Sequence, residues 1–234
     1  MQGILLHEIL VYGVQRCKSA GLYGLLILFT MLIPIPTGGM QRPKAILIDD
    51  FESGALANWS VNLRGAGGWF IYGNGQIPPD PSQSDPNVPF NVPNPPQGKF
   101  GAVTDMNRPG TRILYRDVKL DGRYMLHLTV FYVNGADVFS SRETLAHDIS
   151  GANQQYRIDL VGTSAPIDSL AKGDVLANIF HTSPGDPDRR QPTVITFDLS
   201  PWEGQTVRIR LANVDNRGPL RAGVDDIRLE PIER

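Results

Sequence analysis

Residues 193–231, TVITFDLSPWEGQTVRIRLANVDNRGPLRAGVDDIRLEP, decide the fold. Thr206 to Ala212 alternates Val207, Ile209 and Leu211 with Thr206, Arg208, Arg210 and Ala212. That period of two marks a strand with one face in a core. A Trp-Glu-Gly turn joins it to an earlier run, Val194 to Leu199, and Asn, Gly and Pro break the chain before a last strand near Val224 to Leu229. In that strand simple alternation puts Asp225 on the side of Ile227 and Leu229, where apolar burial is expected. An ionised carboxylate there requires a partner, because burying it alone is very costly. A hard cation held by oxygen atoms is one such partner and an arginine is another.

Working outward, the chain of 234 residues is long enough for one sizeable domain. Its 22 basic and 24 acidic residues nearly cancel, which argues against a dedicated nucleic-acid or polyanion binder. With 24 Gly and 19 Pro it is rich in turns, and no long helical pattern follows residue 40, so many short strands are predicted. Cys17 is the only cysteine, which excludes an intramolecular disulfide and a cysteine-based metal site.

At the other end of the body, Ala45 to Phe51 reads as a first strand, with Ile46, Ile48 and Asp50 on one side and Leu47, Asp49 and Phe51 on the other. Continuing the alternation places Glu52 beside Asp50. Asp50, Glu52 and Asp225 are therefore the candidate ligands of a calcium ion, which accepts six to eight oxygens in flexible geometry. A solvated acidic turn before Ser53-Gly54 is the plain alternative. Asp49 and Asp226 lean the other way and are weaker candidates.

The paired ends carry a resemblance. The phrasing FDLSPWEGQTVRIRLANVDN with AGVDDIRLEP, and the opening run Asp49-Asp50-Phe51-Glu52-Ser53-Gly54 with Trp59 after it, resemble galactose-binding-like jelly rolls, the group that includes many bacterial carbohydrate-binding modules. The resemblance spans roughly Ile46 to Pro231. It implies an antiparallel β-sandwich, a structural calcium shared by the opening run and the closing strand, and a glycan as ligand.

Between the ends, Trp59 is expected in the core. In RGAGGWFIYGNGQ, residues 64–76, alternation pairs Phe70 with Tyr72 and Trp69 with Ile71. Aromatic rings stack on the apolar faces of sugars while Arg and Asn bond the hydroxyls, so Arg64, Trp69, Tyr72 and Asn134 are the candidate ligand contacts. Residues 77–97 hold eight prolines and form neither helix nor central strand; a surface loop is expected there. Tyr124 to Asn134 is apolar on both faces, as an internal strand should be.

Upstream, Arg16 and Lys18 precede the uncharged run Ala20 to Pro36, the order of an export signal. Its 17 residues are also near the lower limit for a retained membrane anchor. Residues 1–39 thus read as a signal peptide or membrane anchor with a hydrophobic helix, and residues 45–232 as the β-sandwich domain.

No G-x-S-x-G elbow or H-E-x-x-H helix occurs, and His7, His127, His147 and His181 lack zinc-like spacing. The expectation is an exported, non-catalytic carbohydrate-binding module with structural calcium, located outside the cytoplasm or at the cell surface. Its competitors are a structural or adhesive module that packs against cell-surface protein neighbours, and a glycan-active enzyme.

Overall fold

The computed structural model describes residues 44–73, 92–105, 108–136, 138–140 and 142–233. The N-terminal run and most of the proline-rich loop lie outside them, so the expected export helix does too. Among the described residues no helix is long and apolar enough to cross a membrane.

The strands are β1 (Ile46–Asp49), β2 (Ser60–Gly65), β3 (Gly68–Gly73), β4 (Phe100–Asp105), β5 (Gly110–Lys119), β6 (Tyr124–Asn134), β7 (Gln155–Gly162), β8 (Val175–His181), β9 (Arg189–Asp198), β10 (Thr206–Asp215) and β11 (Leu220–Pro231). A 3-10 turn, Ser200–Trp202, joins β9 to β10. They form two antiparallel sheets. The first runs β3-β4-β11-β6-β9 with β1 added on β11, and the second runs β2-β5-β10-β7-β8. Because most connections carry the chain from one sheet to the other, the strands wrap as a jelly roll. The expected all-β antiparallel sandwich is observed.

The core lies between the sheets, where Leu126, Leu128 and Val130 of β6 meet Val207, Ile209 and Leu211 of β10. The alternation of residues 206–212 places those three apolar side chains as expected. β6 is paired on both sides, by β11 and β9. Its second face is apolar because Phe131 belongs to a separate cluster on the outside of the first sheet, with Tyr72 and Val103.

The outward face of β10 departs from the simple pattern. Arg210 is fully buried there: its guanidinium bonds the carbonyls of Ile167 and Ser169 at 2.9 and 2.8 Å and the Asp159 carboxylate at 2.8 Å. Arg157 also grips Asp159 through two 2.8 Å bonds. These cations hold the Asp159 carboxyl below its ordinary range against the opposing pull of desolvation. A second buried pair, Arg112 with Asp215 at 3.0 Å, closes one end of the second sheet.

Two backbone irregularities set the position of the acidic residues. Register on β6 slips between Asp225 and Arg228, and Asp226 sits at φ +49°, in the left-handed region. This bulge resets the alternation. Leu220, Ala222 and Val224 before it, and Ile227 and Leu229 after it, all face the core. Asp225 therefore faces outward on the first sheet, not to the side of Ile227 and Leu229 as alternation predicts. At the other end β1 stops at Asp49 and Phe51 takes φ +58°, so the alternation does not continue to Glu52. Phe51 instead enters the core and stacks on Trp59 at 6.2 Å.

Candidate functional site

The acidic residues of the two ends divide into three roles. Asp49 is structural: its Oδ1 accepts the Phe51 N–H at 2.8 Å and its Oδ2 accepts the Trp59 indole N–H at 2.9 Å. Asp226 pairs with Arg228, which also reaches Glu230 at 2.9 Å. Glu52 and Asp225 both bind the turn that leads into β4. Glu52 Oε1 accepts the N–H groups of Lys99 and Phe100 at 2.7 and 2.9 Å, and Asp225 Oδ2 accepts the N–H of Gln97 at 2.9 Å. The two amides hold the Glu52 carboxyl below its usual range.

Asp225 has the opposite electrostatics. Burial comes first, then the carboxylates of Asp226 and Glu52, and together they push its carboxyl up to about 7 despite bonds from the Gln97 and Asp226 amides. Negative charge at this spot is therefore incompletely compensated. Asp50 stands apart, with Oδ1 accepting the Glu52 N–H at 3.2 Å. Among the described residues no group of three or more His, Cys, Asp and Glu side chains is clustered as a metal site.

Beside Asp225, on the outer face of the first sheet, lies an aromatic platform floored by glycine. Gly101 of β4 and Gly223 of β11 leave the sheet without side chains at two points. Tyr72 covers the first: a methyl group on Gly101 would lie 3.1 Å from its ring and 3.8 Å from the Asp225 carboxyl carbon. Phe131 covers the second: a methyl group on Gly223 would fall 2.0 Å from two ring carbons. The two ring centroids are 5.9 Å apart and their planes are tilted by 60°. Aromatic surface next to a carboxylate acceptor is the chemistry that a sugar ring and its hydroxyls require. The sequence reading included Tyr72 but missed Phe131 and the glycines, whose only signal was a Gly facing a Phe across two strands not adjacent in the chain.

The four predicted ligand contacts do not come together. Arg64 is on β2 and pairs with Asp168 at 2.9 Å, and it is 41% exposed. Trp69 is buried in the inter-sheet core, its indole N–H donating to the Arg112 carbonyl at 3.2 Å, so its ring presents no face to a ligand. Tyr72 is buried, its O–H donating to the Pro93 carbonyl at 3.0 Å. Asn134 is also buried, its amide spent on Val138, Asp188, Ala136 and Gln154. Apolar spacing could not separate these residues, because β3 is covered on both faces. Trp202 is the half-buried tryptophan, stacked on Phe197 at 6.2 Å.

One chain of hydrogen bonds has the residue types of a hydrolase. Ser183 Oγ lies 3.3 Å from His181 Nε2, His181 Nδ1 lies 2.9 Å from Asn178 Oδ1, and Asn178 donates to Asp159 at 2.8 Å. However, the Ser183 N–H donates to Asp186 Oδ2 at 2.8 Å. A carboxylate that close to the serine opposes a developing oxyanion, which must be met by donors. The arrangement is a poor centre for acyl transfer.

No family model matches the chain, and no curated protein does. Solved structures do resemble it. The K1 cleaved adhesin domain of Lys-gingipain from Porphyromonas gingivalis W83 is 10% identical, with 82% of this chain and all of that one covered, at a TM-score of 0.47. The family 11 carbohydrate-binding module from Clostridium thermocellum, solved with a mixed-linked tetrasaccharide, is 10% identical over 81% and 98%, at 0.37. A cyclase from Fischerella sp. TAU is 19% identical over 82% and 100%, at 0.39. The chain is an all-β jelly-roll sandwich, similar in fold to carbohydrate-binding modules and adhesin domains.

Proposed function

We propose that the domain is an exported, non-catalytic carbohydrate-binding module. The observation that supports this is the platform of Tyr72 and Phe131 lying on Gly101 and Gly223 beside the Asp225 carboxylate. Both rings are buried, so a pyranose face stacks on them only once the chain over them moves aside, and a hydroxyl then donates to the carboxylate. Retention on a panel of soluble and insoluble polysaccharides tests it. The reading requires binding that Phe131→Leu weakens, and no retention on any glycan refutes it.

A calcium ion fits the same reading. Glu52 and Asp225, from the two ends of the domain, both hold the turn that leads into β4, and the charge on Asp225 is under-compensated. Those two carboxylates would hold the ion, and Asp50, which stands apart, would have to turn toward it to join them; a hard cation favours oxygen donors of this kind and neutralises their repulsion. The ion would tie the opening turn to the closing strand. Calcium raising the melting temperature of wild type but not of Asp225→Asn is the expected result.

A second reading rests on the edge strand β2, where Val61 and Leu63 are 43% and 48% exposed. Exposed apolar side chains on a strand that, among the described residues, pairs on one side only suit contact with a protein neighbour on the cell surface. Light scattering at rising concentration, with Leu63→Lys as control, tests that role.

A further inference from the structure

We propose that residues 92–97, VPNPPQ, occupy the aromatic platform as an internal stand-in for a sugar, and that a glycan binds by displacing them. The inference rests on the carbohydrate-binding reading and adds its regulation. Three contacts define the occupancy. Val92 packs on the cluster of Tyr72, Val103 and Phe131. The Pro93 carbonyl accepts the Tyr72 O–H at 3.0 Å, and the Gln97 N–H donates to Asp225 Oδ2 at 2.9 Å. The segment thus offers the platform an apolar contact, one acceptor and one donor. A sugar offers the same complement through its C–H face and two hydroxyls.

The segment is built to sit there without becoming a strand. Pro93, Pro95 and Pro96 carry no N–H, so half of its residues cannot donate to a ladder, and residues 92–97 belong to neither sheet. Proline also restricts the released chain, which lowers the entropic difference between docked and free states. Consequently displacement exchanges one apolar contact and two hydrogen bonds for an equivalent set and leaves the sandwich intact.

The far end of the segment is pinned. Glu52 holds the N–H groups of Lys99 and Phe100. Gly98, at φ +60°, lies so close that a methyl group on it would fall 2.3 Å from the Glu52 carboxylate. A left-handed glycine next to a clamped pair of amides is a natural pivot. Residues 92–97 lift while 99 and 100 stay.

The test is titration of the full chain with soluble β-1,4-galactan and mixed-linkage β-glucan, paired with hydrogen exchange at the Gln97, Lys99 and Phe100 amides. Val92→Ala removes an apolar contact of the docked segment and alters no group that the sugar would use. It should raise the open fraction and tighten apparent affinity by about 5-fold, since affinity scales with the competent population. In wild type, saturating glycan should strip protection from the Gln97 amide and spare those of Lys99 and Phe100. Tight glycan binding with Gln97 still protected, and with Val92→Ala binding as wild type does, overturns the stand-in and leaves the carbohydrate reading intact. No binding by either protein, while Val92→Ala speeds Gln97 exchange, overturns both.

Discussion

A methyl group added at Gly223 probes the platform most directly. In Gly223→Ala the new Cβ lies 2.0 Å from Cε2 and Cζ of Phe131 and 2.7 Å from Cδ2. Ordinary contact begins near ~3.4 Å, so the ring must retreat by more than about 1 Å in a close-packed setting. Phe131 is fully buried and already touches Tyr72 and Val103, which leaves it little room. Overpacking of this kind costs about 1–3 kcal/mol, and the upper half of that range applies. The substitution also stiffens the unfolded chain, which returns about 0.4–1 kcal/mol. The net expectation is a loss of about 2 kcal/mol, or a fall in melting temperature of about 4–8 °C for a domain of this size. Urea unfolding measures it, with the slope against denaturant unchanged. Combining Gly223→Ala with Phe131→Leu should recover part of the loss, because the clash partner is then smaller. Gly68→Ala is the control, since its nearest foreign atom would be 3.9 Å away. An unchanged midpoint for Gly223→Ala would show that the ring does not lie on the glycine and would remove the platform.

Other outcomes follow from the same structure. Asp159→Ala strands two guanidinium groups, one of them fully buried in Arg210, and should cost about 3–5 kcal/mol in urea unfolding. Asp49→Ala leaves the Trp59 indole N–H and the Phe51 N–H without their acceptor; a loss of about 1–3 kcal/mol and a shifted tryptophan emission are expected. The pH profile has a defined sign. Because the folded Asp225 carboxyl lies near about 7 against an ordinary 3.8, the native state binds more protons in that window, and its contribution to stability is lost as pH rises through it. Glu52 acts oppositely: its lowered value adds stability above its ordinary 4.5 that disappears on acidification. Melting temperatures between pH 4 and 8 should thus show a descent toward neutrality that Asp225→Asn reduces, the remainder belonging to Asp215, whose burial also pushes its carboxyl up to about 7. Under the proposed calcium clasp, added calcium removes the Asp225 part of the descent and stabilises more at pH 7.5 than at pH 5, and chelation restores it.

The primary structure alone determined the class of fold, because strand periodicity is a local property. Val207, Ile209 and Leu211 could face only one way, the doubly apolar run Tyr124 to Asn134 had to be internal, and abundant Gly and Pro left no room for long helices. The expected burial of Trp59 was legible for the same reason: a large ring beside an opening strand has few other places to go. Face assignment near irregularities was not legible. The bulge at Asp226 turns Asp225 outward, and it exists because β11 must keep Val224 and Ile227 in one core while pairing with β6. Nor could periodicity tell that Trp69 faces the core or that Asp49 is consumed by Trp59, since both depend on which strands become neighbours. The platform is the clearest case of tertiary decision. Gly101, Gly223, Tyr72 and Phe131 come from four strands, and only the order β3-β4-β11-β6 lays two rings over two bare stretches of backbone beside one carboxylate.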